Sequence, residues 1–114
     1  MLIIFVMLIG CATTPPSRAG LDSLHDQIAD ARDLGAQSYA PVELNRASQL
    51  LAAAEAAFSE RDYDVSDRNA ARAELEVQLA QARSRAATLR EKVRELSDEN
   101  QRLRRELLGE GTLR

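Results

Sequence analysis

Apolar positions along this 114-residue chain change their spacing at three places, and each change marks a boundary. Leu2 to Ile9 is a continuous run of eight. Further on, Leu21, Leu24, Ile28 and Ala31 advance by three and four, which sets them on one stripe of a helix, with Gly35 as its stop. The stretch AQSYAPVEL breaks this pattern and restarts it. Pro41 suits the first turn of a helix, where its missing N–H has no partner to lose, and Leu44, Ala47, Leu51, Ala54 and Phe58 form the second stripe. A further break at ERDYDVSD offers Asp62 or Asp64 as the cap of a third helix. No Pro or Gly follows until Gly109, so this helix is predicted to run for about 47 residues, or about 70 Å at 1.5 Å per residue.

The third helix carries two apolar stripes in its first half and one in its second. Ser66, Ala70, Ala73, Val77 and Ala80 make a small-residue face that other helices can approach closely. Roughly opposite, Leu75, Leu79, Ala82, Ala86, Leu89, Val93, Leu96, Asn100, Leu103 and Leu107 follow one another at unbroken 4-3 spacing, a heptad seam of about four and a half repeats. The two shorter helices can cover only the first half of the third. The fold expected is therefore all-α: a short three-helix antiparallel bundle over residues 21–85, a coiled-coil extension over 86–108 and a flexible tail over 109–114.

A leucine stripe projecting from a small bundle needs a partner, because apolar surface left in water forgoes roughly 25 cal/mol per Å². A second copy of the chain is the simplest one, so a homodimer is expected. With Leu89, Leu96 and Leu103 at d, Asn100 falls at a, where a buried amide finds its mate only in a parallel, in-register pair. The flanking charges divide: Glu99 can pair with Arg104 across such an interface, whereas Arg85 would face Arg90. A trimer or a mixed assembly would also bury the stripe, as would a third helix that bends back.

Composition narrows the function further. A chain of this length buries too small a core to frame a large catalytic cleft. The 18 acidic and 15 Lys or Arg residues are interspersed, with a net charge of -3, so no basic face points to nucleic acid. His25 is the single histidine and stands alone. Asp22, Asp26 and Asp30 share a helical face, but oxygen-ligand sites collect six or more donors and one straight helix converges too few. No phosphate loop or Cys/His metal spacing occurs. The expectation is a protein that is not an enzyme and needs no cofactor or metal.

The apolar run at the start is too short to span a bilayer, which takes about 20 residues, and suits the centre of a signal peptide. Leu8, Ile9, Gly10 and Cys11 resemble the lipobox of bacterial lipoproteins. The resemblance implies a signal peptide over residues 1–10, cleavage after Gly10, and diacylglycerol attached to the Cys11 thiol, followed by amino-terminal acylation. Ala12, where an Asp would signal inner-membrane retention by resemblance to enteric lipoproteins, favours the outer membrane. ATTPPSRAG then reads as a tether, so residues 11–20 are expected to be the lipidated Cys11 and a flexible lead.

Tyr39, Ala40, Pro41, Glu43 and Leu44, followed by an alanine-rich helix and then Asp62 and Tyr63, resemble the bacterial helical-lipoprotein family known as domain of unknown function 4398. Arg61 stands in the turn where members of that family often carry Gly. The resemblance covers roughly residues 20–90 and implies an envelope location, with no activity attached. The functional expectation is a lipid-anchored, periplasm-facing structural or adaptor protein of the outer membrane. It would be held to the membrane through Cys11 and work through helical contacts, with an envelope protein or peptidoglycan as the further partner. Two alternatives stand beside it. One is a tetratricopeptide-like peptide-binding module, built on the hairpin around Phe58 and Tyr63, although stable arrays generally need three or more units. The other is a spacer resembling murein lipoprotein, which the absence of a C-terminal lysine in Thr112, Leu113 and Arg114 disfavours.

Overall fold

The computed structural model describes residues 17–111. The signal peptide, Leu8, Ile9, Gly10 and Cys11 lie outside them, as do most of the tether and Thr112 to Arg114. The described chain is all-helical, with α1 over Ala19–Asp33, α2 over Ala36–Tyr39, α3 over Pro41–Ser59 and α4 over Tyr63–Gly111. Helix α4, with 49 residues against 15 in α1 and 19 in α3, is the axis of the molecule.

The expected stripes are the buried ones. Leu21, Leu24, Ile28 and Ala31 of α1, Leu44, Ala47, Leu51 and Ala54 of α3, and Ala73, Val77 and Ala80 of α4 join one hydrophobic cluster with Ala36 and Ala40. Phe58 and Ala70 are partly buried against it. The small-residue face of α4 starts at Ser66, as expected, and runs on to Ser84; both are buried. The Ser84 hydroxyl donates to the Ala80 carbonyl at 2.8 Å, which satisfies it inside the fold. Of the cluster, only Leu21, Leu24, Ile28, Leu44, Leu51 and Val77 exceed alanine in size. Each contributes about 1.5–3 kcal/mol, so the core is thin and the turns that set its geometry matter.

The turn between α3 and α4 takes three residues. The amide of Asp62 donates to the Ala57 carbonyl and that of Arg61 to the Phe58 carbonyl, the paired bonds of a Schellman C-cap. Asp62 then caps α4, its Oδ1 accepting from the Val65 amide at 3.2 Å. Phe58 and Tyr63 close the turn edge to face, with ring centroids 5.4 Å apart. The geometry puts Arg61 at φ 63°, in the left-handed region, where an L side chain is strained and glycine is not.

Two boundaries differ from the sequence reading. AQSY, read as part of a break, forms the single-turn helix α2, which is too short for periodicity to register. Gly35 precedes it at φ 84°; its amide closes α1 on the Arg32 carbonyl, and its own carbonyl accepts from Ser38 and Tyr39. Helix α4 also continues through Gly109 to Gly111 rather than stopping there. One interior glycine costs about 1 kcal/mol relative to alanine and does not by itself end a helix.

Chemical denaturation tests both left-handed positions. Arg61→Gly is expected to raise stability by about 0.5–1 kcal/mol, since relief of the strained φ exceeds the extra freedom gained by the unfolded chain. Gly35→Ala should lower it by about 1–2 kcal/mol. There the added Cβ meets the Tyr39 ring at 3.1 Å in addition to the strained φ.

Candidate functional site

The leucine seam lies along α4 and faces water. Leu75, Leu79, Leu89, Val93, Leu96, Leu103 and Leu107 are each 43–70% exposed, Asn100 is exposed with them, and no Pro interrupts the helix beneath. Ala82, between Leu79 and Leu89, is exposed and Ala86 is half-buried. All the seam residues therefore share one face, offset by two positions from buried Val77, or about 200° around a helix with 3.6 residues per turn. From Thr88 to Gly109 every residue is exposed. Such a face is large for an unpartnered helix, since contiguous exposed apolar patches mark interaction sites.

Polar links at the end of the core fix where this free segment begins. Glu43, buried in α3, accepts a hydrogen bond from the Arg83 guanidinium of α4. Tyr39 donates to Glu91 at 2.7 Å. Arg46 reaches Glu76 at 3.2 Å, and Gln81 donates to the Gln27 carbonyl at 3.2 Å. The YAPVEL motif thus works as a joint: Tyr39 and Glu43 grip α4, Ala40 and Leu44 enter the core, and Pro41 opens α3. The hydrogen bond to Glu91 is the main reason the Tyr39 phenol is raised above its ordinary value of 10.0, with desolvation and the Glu91 charge adding to it.

Sequence reasoning placed Tyr39 and Glu43 in a motif but did not find their partners, which lie 52 and 40 residues away. One signal was available. Glu43 precedes Ala47 by four on the buried stripe, and a carboxylate there requires a cation. The other candidates are not brought together. His25 sits 2.8 Å from Glu55 and links α1 to α3 at the surface. Asp22, Asp26 and Asp30 are exposed on α1, and no group of three His, Cys, Asp or Glu among the described residues is placed to hold a metal. No helix among the described residues is long and apolar enough to cross a membrane.

Arg83→Ala should lower stability by about 1–2 kcal/mol in denaturant titrations, because it strands a buried carboxylate. Arg102→Ala, at an exposed pair with Glu99, should change it by less than about 0.5 kcal/mol. With Tyr63→Phe leaving one tyrosine, the Tyr39 absorbance titration is expected above pH 10, and Glu91→Gln should bring it down. The folded phenol is the raised one, so its link to Glu91 is intact below the ordinary value and is lost as pH rises through the raised one.

No curated protein and no solved structure matches the chain. A family model described as Domain of unknown function (DUF4398) matches residues 19–96, from the first residue of α1 to Leu96 on the exposed seam. That span holds the YAPVEL joint, the Asp62–Tyr63 cap and more than half of the chain, and on it the protein belongs to the DUF4398 family.

Proposed function

We propose that this protein is a lipid-anchored adaptor of the bacterial envelope. It faces the periplasm from the outer membrane and acts through the leucine face of α4. The observation that carries the reading is the uninterrupted exposed stripe from Leu89 to Leu107 on a helix that outruns everything packed against it. The anchor rests on the resemblance of Leu8, Ile9, Gly10 and Cys11 to a lipobox.

The finer architecture belongs to the same proposal: a short three-helix antiparallel bundle whose long helix continues as a coiled coil. Contact order supports it. Gly20 and Leu24 line one groove with Asp67 and Ala71, while Leu34 lines another with Arg85 and Leu89, so α1 follows α4 in direction. Arg46 to Glu76 and Glu43 to Arg83 run the other way, so α3 opposes it. In this arrangement the start of α1 lies at the end where α3 turns into α4, and the leucine stripe runs on past the opposite end of the core. A second copy is the first partner. Seven aliphatic layers buried on both chains amount to several kcal/mol, enough to offset the cost of association.

Three measurements test the proposal. In cells, Cys11→Ser should leave the chain uncleaved and out of the lipoprotein fraction; a variant that stays processed and membrane-bound would sink the anchor. The full chain carrying Cys11→Ser should sediment as a dimer, and Leu96→Asp with Leu103→Asp should convert it to monomer. A wild-type monomer at all concentrations would remove the coiled coil. Crosslinking in intact cells should recover envelope proteins, whereas selective binding of short peptides by the isolated protein would instead favour the tetratricopeptide-like reading.

A further inference from the structure

Segment 81–94 of α4 is locally cationic in a chain whose net charge is -3. It holds Arg83, Arg85, Arg90, Lys92 and Arg94 against a single acid, Glu91. Three of these six charges have partners: Arg83 has Glu43, Lys92 has Glu95, and Glu91 is taken by Tyr39. Arg85, Arg90 and Arg94 have no acidic partner among the described residues, and for the first two their surroundings explain it. Helical neighbours three and four positions away are Gln81, Ala82, Thr88 and Leu89 for Arg85, and Ala86, Ala87, Val93 and Arg94 for Arg90.

The two arginines flank Leu89 on opposite sides. Arg85 lines a shallow apolar groove of about 330 Å³ with Leu34, Thr88 and Leu89; Arg90 lines another of about 320 Å³ with Leu89, Val93 and Arg94. In heptad terms they are g and e. In a parallel, in-register pair, g of one helix meets the following e of the other, so Arg85 of each copy faces Arg90 of the second. Two such edges put four guanidinium groups around the Leu89 layer, beside the point where the packed core ends.

Resting on the dimer reading above, we propose that this girdle is a binding site for a phosphoryl group. Like charges held face to face across a seam repel unless an anion lies between them. The guanidinium fork presents paired N–H donors suited to an oxyanion, and phosphate suits better than carboxylate. A phosphoryl group near neutral pH carries more than one charge and has enough oxygens to meet two forks at once, one from each helix. A carboxylate has one charge and two oxygens, which a single arginine already occupies.

The test uses the full chain with Cys11→Ser and follows dimer dissociation by sedimentation at fixed ionic strength. Inorganic pyrophosphate should tighten the dimer about tenfold relative to chloride. In chloride alone, Arg85→Glu should tighten it by a similar factor and remove the pyrophosphate response, because the two repulsive edges become attractive. Arg90→Glu should behave in the same way, which guards against a local packing effect at the Leu34 groove. Combining both substitutions should restore a weak dimer through Glu–Glu repulsion and leave it indifferent to pyrophosphate. Equal dissociation constants in chloride and pyrophosphate for the parent chain would overturn the site while leaving the dimer standing. Weakening by Arg85→Glu would show that Arg85 does not face Arg90 and would overturn the girdle through its register. A monomer under every condition would remove the dimer itself, and the girdle with it.

Discussion

Close approach along the small face of α4 is the contact on which the rest of the molecule depends. Ser66, Ala73, Val77, Ala80 and Ser84 carry nothing larger than a valine side chain, so α1 and α3 can bring their own leucines and alanines against the α4 backbone. Dispersion and burial are then gained from short side chains that give up little rotamer freedom. The arrangement needs few large residues, but it needs α3 to leave α4 at a defined angle and distance. The three-residue turn at Glu60, Arg61 and Asp62 sets that angle, at the expense of a left-handed arginine.

This contact ends before α4 does. Beyond Ser84 no residue of α4 up to Gly109 is fully buried, and the last hydrogen bond across to another helix runs from Tyr39 to Glu91. Past that bond the helix holds itself by backbone hydrogen bonds and by exposed pairs such as Lys92 with Glu95 and Arg102 with Glu99. Pairs of this kind add a few tenths of a kcal/mol each. The leucines of the same segment stay exposed in the isolated chain. Their regular spacing acquires a physical role when another surface covers them, which is why the proposed function rests on this half of α4.

The YAPVEL stretch and the Asp62–Tyr63 pair gain a mechanical meaning from these observations. Tyr39, Ala40, Pro41, Glu43 and Leu44 all act at the joint where α3 enters beside α4: two by polar links, two by burial and one by starting a helix. Asp62 and Tyr63 act at the opposite end of α3, as a cap and as half of an aromatic pair. Both motif segments therefore secure the ends of a single helix against α4. Their common task is to hold a short hairpin at the base of a longer rod.

Periodicity by itself determined the helices and their buried stripes, since burial in an amphipathic helix follows from i, i+3 and i+4 neighbours that a linear pattern already contains. It also placed the Asp62 cap region, the Pro41 start and the continuous leucine seam, all of which depend on residues within a turn or two of one another. Helix α2 escaped it because four residues hold no period, and the passage of α4 through Gly109 escaped it because a glycine weakens a helix without ending it. Only the tertiary structure decided that Arg83 belongs to Glu43 and Tyr39 to Glu91. Those assignments depend on which residues face one another across two helices 40 or more positions apart, and such distances arise only once the small face of α4 has been packed.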